Sequence, residues 1–87
     1  MQEIVFVYVI RSEVDGRFYV GMTKGIRRRI KEHNIGKTKS TKGFRPWKLF
    51  FTEKFDNWDD ARRREKYLKS GYGKQWIKEK WLRSSAG

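Results

Sequence analysis

The sequence predicts an α/β (α+β) domain with a small three-stranded, mainly antiparallel sheet flanked by helices. Three observations carry this. An unbroken apolar run rich in β-branched residues, Ile4 to Ile10, opens the chain, and the turn pair Asp15-Gly16 follows it. Two later segments, Gly25 to Ile35 and Trp58 to Lys69, space their apolar residues at helical intervals. With 87 residues, one domain is the only sensible count, and 16% aromatic residues supply the burial that a 37% charged chain needs to fold. We assign residues 1–83 to that domain and 84–87 to a disordered tail.

Ile4-Val5-Phe6-Val7-Tyr8-Val9-Ile10 lacks alternation, which reads as a strand covered on both faces and hence central in its sheet. Arg17-Phe18-Tyr19-Val20-Gly21-Met22 is the return strand of a hairpin. Gly21 inside it marks a place where backbone or ligand must come close. In the first helix Ile26, Ile30 and His33 share a side, Thr23 is a candidate cap, and Asn34 and Gly36 end the helix. Gly36 to Arg45 reads as a basic loop, and Pro46 introduces an edge strand, Trp47 to Thr52. Asn57 caps the second helix, with Asp59 and Asp60 in its first turn. Ser70-Gly71-Tyr72-Gly73 breaks it, and a shorter helix runs from Lys74 to Leu82. The element order is ββαβαα.

The net charge of +12 is unevenly placed. Residues 1–23 hold two basic and three acidic side chains, net −1; residues 24–54 hold eleven and two, net +9; residues 55–87 hold nine and five, net +4. A cationic stretch of this density predicts contact with nucleic acid. The absence of cysteine excludes disulfides, thiolate metal sites and cysteine nucleophiles. No apolar run approaches the roughly 20 residues of a membrane helix, and no signal-peptide pattern opens the chain. The expected setting is therefore cytoplasmic, nucleoid-associated when bound to DNA, with no membrane partner.

Two helical positions stand out chemically. Trp58, Ala61, Glu65 and Leu68 share one helix face, placing a carboxylate among core residue types. Such a carboxylate needs either a buried salt bridge to an Arg or a metal ion. On the first helix, Arg29 and His33 stack one turn apart, beside a surface pair of Arg28 and Glu32. His33 is the sole histidine.

Beside these stand two strand tyrosines. Phe6-Val7-Tyr8 and Tyr19-Val20-Gly21, with ten residues between the tyrosines, resemble the two halves of the GIY-YIG nuclease motif. Arg29-Ile30-Lys31-Glu32-His33-Asn34 is similar to the Arg-Leu-x-x-His-Asn helix of small members of that family. Ala61 to Lys69 is similar to the segment carrying its metal-binding Glu. The likeness spans about residues 4 to 80 and is similar to the N-terminal nuclease domain of the bacterial excinuclease C subunit. It departs in having Phe6 where the motif has Gly. The family's C-terminal Asn is also missing, since no Asn follows Asn57; Gln75 is a candidate substitute.

The resemblance implies a metal-dependent DNA endonuclease, with Tyr8, Tyr19, Arg29, His33 and Glu65 lining one cleft. One Mg²⁺ or Mn²⁺ held by Glu65 and waters would act as Lewis acid at the leaving oxygen. Arg29 offers a planar fork of donors to the scissile phosphate. Tyr8 or Tyr19 activates water, helped by a cationic field expected to lower its pKa, and His33 is hydrogen-bond partner or proton acceptor. Lys24, Arg28, Lys31, Lys37, Lys39, Lys42 and Arg45 would meet successive phosphates of duplex, nicked or branched DNA. Phe44 or Trp47 either stacks on an unpaired base or packs against the third strand. With no room for a DNA-reading appendage, cleavage is expected to be structure-directed or to rely on a protein partner for specificity. The rival readings are a non-catalytic nucleic-acid-binding module of the same fold and a small basic protein that interacts with RNA or ribosomes.

Overall fold

The central strand is the apolar run that opens the chain, and it needs two neighbours to satisfy its backbone. In the computed structural model, which describes residues 3–85, β1 (Val5–Ser12) is flanked by β2 (Phe18–Thr23) and β3 (Trp47–Phe55) in the order β2-β1-β3, both antiparallel. The missing alternation follows from cover on both faces. Val5, Val7 and Val9 join Val20, Ala61, Leu68 and Ile77 in one core cluster, while Tyr8 and Ile10 join Trp47 in a second. A register shift between Val9 and Ile10 interrupts the β1–β3 ladder.

The β1–β2 turn forms as the Asp15-Gly16 signal predicts: Arg17 N–H donates to Asp15 Oδ1 at 3.1 Å, and Gly16 takes φ 78°. Helix α1 (Ile26–Asn34) starts differently from expectation. Its N-cap is Gly25, with no side-chain cap; Thr23 Oγ1 instead accepts from Gly25 N–H at 3.1 Å, fixing the bend before the helix. Gly36, at φ 87°, ends α1 as predicted, with Lys37 N–H donating to Glu32 O at 3.0 Å.

The basic segment is not wholly a loop. It contains a short helix, α2 (Lys39–Lys42), in which Thr41 is buried. Strand β3 is an edge strand, as Pro46 suggested, but runs on to Phe55. Helix α3 (Trp58–Lys69) is capped by Asn57, whose side chain accepts from Asp60 N–H at 2.8 Å.

The break between the last two helices is narrower than the Ser-Gly-Tyr-Gly cluster implied. Only Ser70 is extended, and α4 (Gly71–Ser85) begins at the next residue. Ser70 serves both helices: its hydroxyl donates to Tyr67 O and accepts from Gly73 N–H. A Cβ on Gly73 would collide with the Tyr67 carbonyl and the Leu68 backbone, so this glycine permits α4 to lie against α3. Ser84 and Ser85 fall within α4, whereas a disordered tail was expected from residue 84; residues 86 and 87 lie outside the described ones. No helix among the described residues is long and apolar enough to cross a membrane.

Candidate active site

The face of the sheet that carries Tyr8 lies beneath α1, and the alternation of β1 puts Tyr8 and Ile10 there together. Tyr8 pairs with Gly21 across the strands, and the Tyr8 ring lies over that glycine. Any Cβ at Gly21 would run into the phenol, so the close approach expected there is made by the chain's own tyrosine.

Tyr8 is 1% exposed and its hydroxyl is bonded on both sides. It lies 2.8 Å from His33 Nε2 and accepts from Arg29 Nε at 3.3 Å. The other ring nitrogen of His33, Nδ1, lies 2.8 Å from Thr41 Oγ1, and Thr41 Oγ1 donates to Thr38 O at 3.3 Å. The proton directions follow from the last acceptor. A carbonyl only accepts, so Thr41 spends its proton there, His33 Nδ1–H donates to Thr41, and His33 Nε2 accepts from Tyr8. Every group in this buried chain is then satisfied.

Burial pushes the His33 pKa down to about 4, and the Arg29 charge adds to the effect, so the imidazole is neutral at pH 7. Burial also raises the Tyr8 pKa, and the hydrogen bond from Arg29 does not offset it. The sequence-based expectation of a lowered tyrosine pKa is therefore wrong for Tyr8. Desolvation of the anion outweighs one neighbouring cation because the phenol is buried beneath α1.

Tyr19 is half-buried, with its ring edge-on to His33 at 5.0 Å between centroids and 6.5 Å from Tyr8. Arg29 is held from a second side by Glu32 at 2.9 Å, while Arg28, expected to be the main partner of Glu32, reaches it only at 3.9 Å. A guanidinium has five N–H donors, so Arg29 keeps several for a ligand.

Glu65 projects from α3 and its charge is felt at Tyr8, although the two share no hydrogen bond. Its side chain is 16% exposed and pairs with Lys69 at 3.2 Å, one turn on, rather than with a buried Arg. Its expected neighbour Trp58 is 40% exposed and not in the core: its indole N–H donates to Glu3 Oε2 at 2.8 Å. A half-buried carboxylate whose one ion-pair partner among the described residues is an exposed lysine suits a hard divalent cation that keeps most of its waters. Among the described residues no group of three or more His, Cys, Asp or Glu offers a richer metal cage.

The structure thus gathers Tyr8, Tyr19, Arg29 and His33 directly and brings Glu65 within electrostatic reach. Lys24, Arg28, Lys31, Lys37, Lys39, Lys42 and Arg45 are all exposed, on α1, α2 and the segments beside them. Lys24 pairs with Glu3 at 3.0 Å, and Arg45 Nε donates to Lys42 O. Trp47 is not free to stack on a base, being 3% exposed with its indole N–H donating to Thr41 O at 2.9 Å. Phe44 is half-buried under the Arg17 guanidinium, 3.5 Å from its ring centre. Sequence reasoning missed Thr41 and the bracing role of Asn34. The Asn34 side chain bonds both the N–H and the carbonyl of Trp47, tying the end of α1 to the start of β3. No periodicity marks Thr41, one of several hydroxyls in a basic segment.

Residues 4–80 match the sequence profile of the GIY-YIG catalytic domain. A UPF0213 protein of Halobacterium salinarum is 45% identical over 64 residues, covering 72% of this chain and 82% of its own. A UPF0213 protein of Clostridium perfringens is 40% identical over 65 residues, covering 74% of this chain and 69% of its own. The solution structure of a UPF0213 protein from Bacillus halodurans superposes with a TM-score of 0.54 at 34% identity, covering 87% of this chain and 83% of that one.

Proposed function

The chain belongs to the GIY-YIG family, typically of endonucleases, and from that premise we propose that it is a metal-dependent DNA endonuclease directed by DNA structure. The observation that carries the reading is the anchoring of Arg29. A buried chain of hydrogen bonds, Thr38–Thr41–His33–Tyr8, ends on its guanidinium, and the half-buried Tyr19 stands beside the Tyr8 and His33 rings of that chain.

Phosphodiester hydrolysis needs a water deprotonated, charge on the phosphoryl oxygens neutralised and the departing oxygen stabilised. The Tyr8 oxygen already has two partners and the residue is buried, so Tyr8 positions Arg29 and His33. Tyr19 is the hydroxyl able to meet a water. Neutral His33, its Nε2 accepting from Tyr8, positions that tyrosine rather than meeting the water. The free donors of Arg29 bind the scissile phosphate, where a fixed cation stabilises developing charge. Glu65 is the side chain that would hold one Mg²⁺ or Mn²⁺, which supplies Lewis-acid stabilisation of the leaving oxygen when bound. The exposed lysines and arginines of α1 and α2 grip the backbone without reading sequence. Specificity then comes from DNA shape, such as a nick or branch, or from a partner protein.

Incubation with nicked, flapped, branched and blunt duplex DNA in Mg²⁺ or Mn²⁺ tests this. Cleavage lost in Glu65→Ala, Arg29→Ala and Tyr19→Phe is the expected result. No cleavage of any substrate, with DNA binding indifferent to chelator, would establish the non-catalytic binding module instead.

A further inference from the structure

On the opposite face of the sheet a cleft of about 470 Å³ opens between β2, the end of α3 and the first half of α4. Its floor is apolar: Phe18 and Val20 from β2, Leu68 from α3 and Ile77 from α4. Its rim is cationic, since Lys74 and Lys78 stand one turn apart on α4, both exposed. Neither has a carboxylate within 4.0 Å among the described residues. Gln75 adds an amide between them. The volume lies in the range of sites for small organic ligands, and the nuclease reading makes no use of it.

Two contacts join this cleft to the candidate active site. Tyr19 belongs to both, because the cleft runs along the outer edge of β2. Lys69, which lines the cleft, is the ion-pair partner of Glu65. A strand leaving the active site past Tyr19 would therefore meet an apolar hollow edged by unpaired ammonium groups. A flat apolar face flanked by phosphates is the chemistry of a nucleotide, and a base lying inside a duplex cannot enter.

We propose that this cleft takes one unpaired nucleotide of the bound strand, its base on the apolar floor and its neighbouring phosphates on Lys74 and Lys78. The proposal rests on the nuclease reading for the identity of the strand, and it names the feature of the substrate that would be recognised: a base free of its complement.

The test is run on the full chain in EDTA, so that binding is read apart from cleavage. Thymidine monophosphate and ribose 5-phosphate are titrated while the methyl resonances of Leu68 and Ile77 are followed by NMR. Ring-current shifts are expected with the nucleotide and not with the sugar phosphate. A parallel series measures anisotropy with a labelled oligothymidylate, an abasic strand of equal length and a blunt duplex. A Cβ at Gly71 meets no atom within 4 Å, and Gly71 lines the cleft, so Gly71→Leu adds bulk at the cleft wall without displacing the core. This variant should bind oligothymidylate about tenfold more weakly and leave the abasic strand and the duplex unchanged. Lys74→Ala with Lys78→Ala should weaken both single strands alike. Methyl resonances that ignore thymidine monophosphate, or that answer equally to an oligoglutamate peptide, would overturn the proposal. So would equal loss on single strand and duplex in Gly71→Leu. DNA cleavage without a methyl response removes the cleft and leaves the nuclease standing; a methyl response without cleavage does the reverse.

Discussion

At the scale of single residues, one buried histidine joins Tyr8 to Thr41. Because His33 is the sole histidine, its titration can be read without overlap. Its pKa is about 4 in the folded chain against an ordinary 6.5, so between these values the unfolded chain binds more protons. Stability therefore rises with pH across that window, is complete above about 6.5 and is lost as pH falls toward 4. The contribution is up to about 3 kcal/mol, and urea unfolding at pH 4.5 and 7.5 should show the slope in the wild type and not in His33→Gln. Thr41→Val leaves the His33 Nδ1–H without an acceptor, so it should cost about 1–3 kcal/mol. Cleavage by that variant should fall as well, while DNA affinity stays constant. Tyr19→Phe is expected to slow cleavage by about 10²-fold or more without loss of Tm, as for removal of a proton-transfer group. Arg29, His33 and Glu65 were legible as chemistry because helical spacing exposes which side chains share a face. Thr41 was not, since its place depends on how a short helix folds against α1.

At the scale of elements, the strong local signals held and the weak ones moved. Asn57 capped α3 as read, and replacing it with Ala should cost about 1 kcal/mol in a thermal melt. The Ser-Gly-Tyr-Gly segment misled because glycine near a helix end usually breaks it, whereas Gly73 is present so that two helices can touch. Gly73→Ala raises helix propensity yet should destabilise by about 1–3 kcal/mol, because its methyl has nowhere to go. Trp58 misled for the opposite reason. Its spacing placed it on the buried face, but α3 starts beyond the cover of the sheet, and the indole lies over the surface toward Glu3 and Lys24. Trp47 went the other way, from candidate base platform to core, once Asn34 fixed its backbone against α1.

At the scale of the whole molecule, charge and fold divide the work. Most of the +12 lies between residues 24 and 54, the segment that forms α1, α2 and most of β3. DNA affinity should therefore fall steeply with salt, and Lys39→Glu or Lys42→Glu should each reduce the slope of log K against log salt by about 1. Anisotropy from 50 to 200 mM salt measures it. The sequence by itself determined the family, the α+β class, the central place of β1 and the cationic segment. Those properties are carried by composition, periodicity and local spacing, which do not depend on distant parts of the chain. Only the tertiary structure decided which tyrosine is buried, which way the protons point from Tyr8 to Thr38, and that a cleft opens along β2. These depend on which side chains desolvate one another across the sheet, and desolvation is a property of packed surfaces that no short stretch of sequence contains.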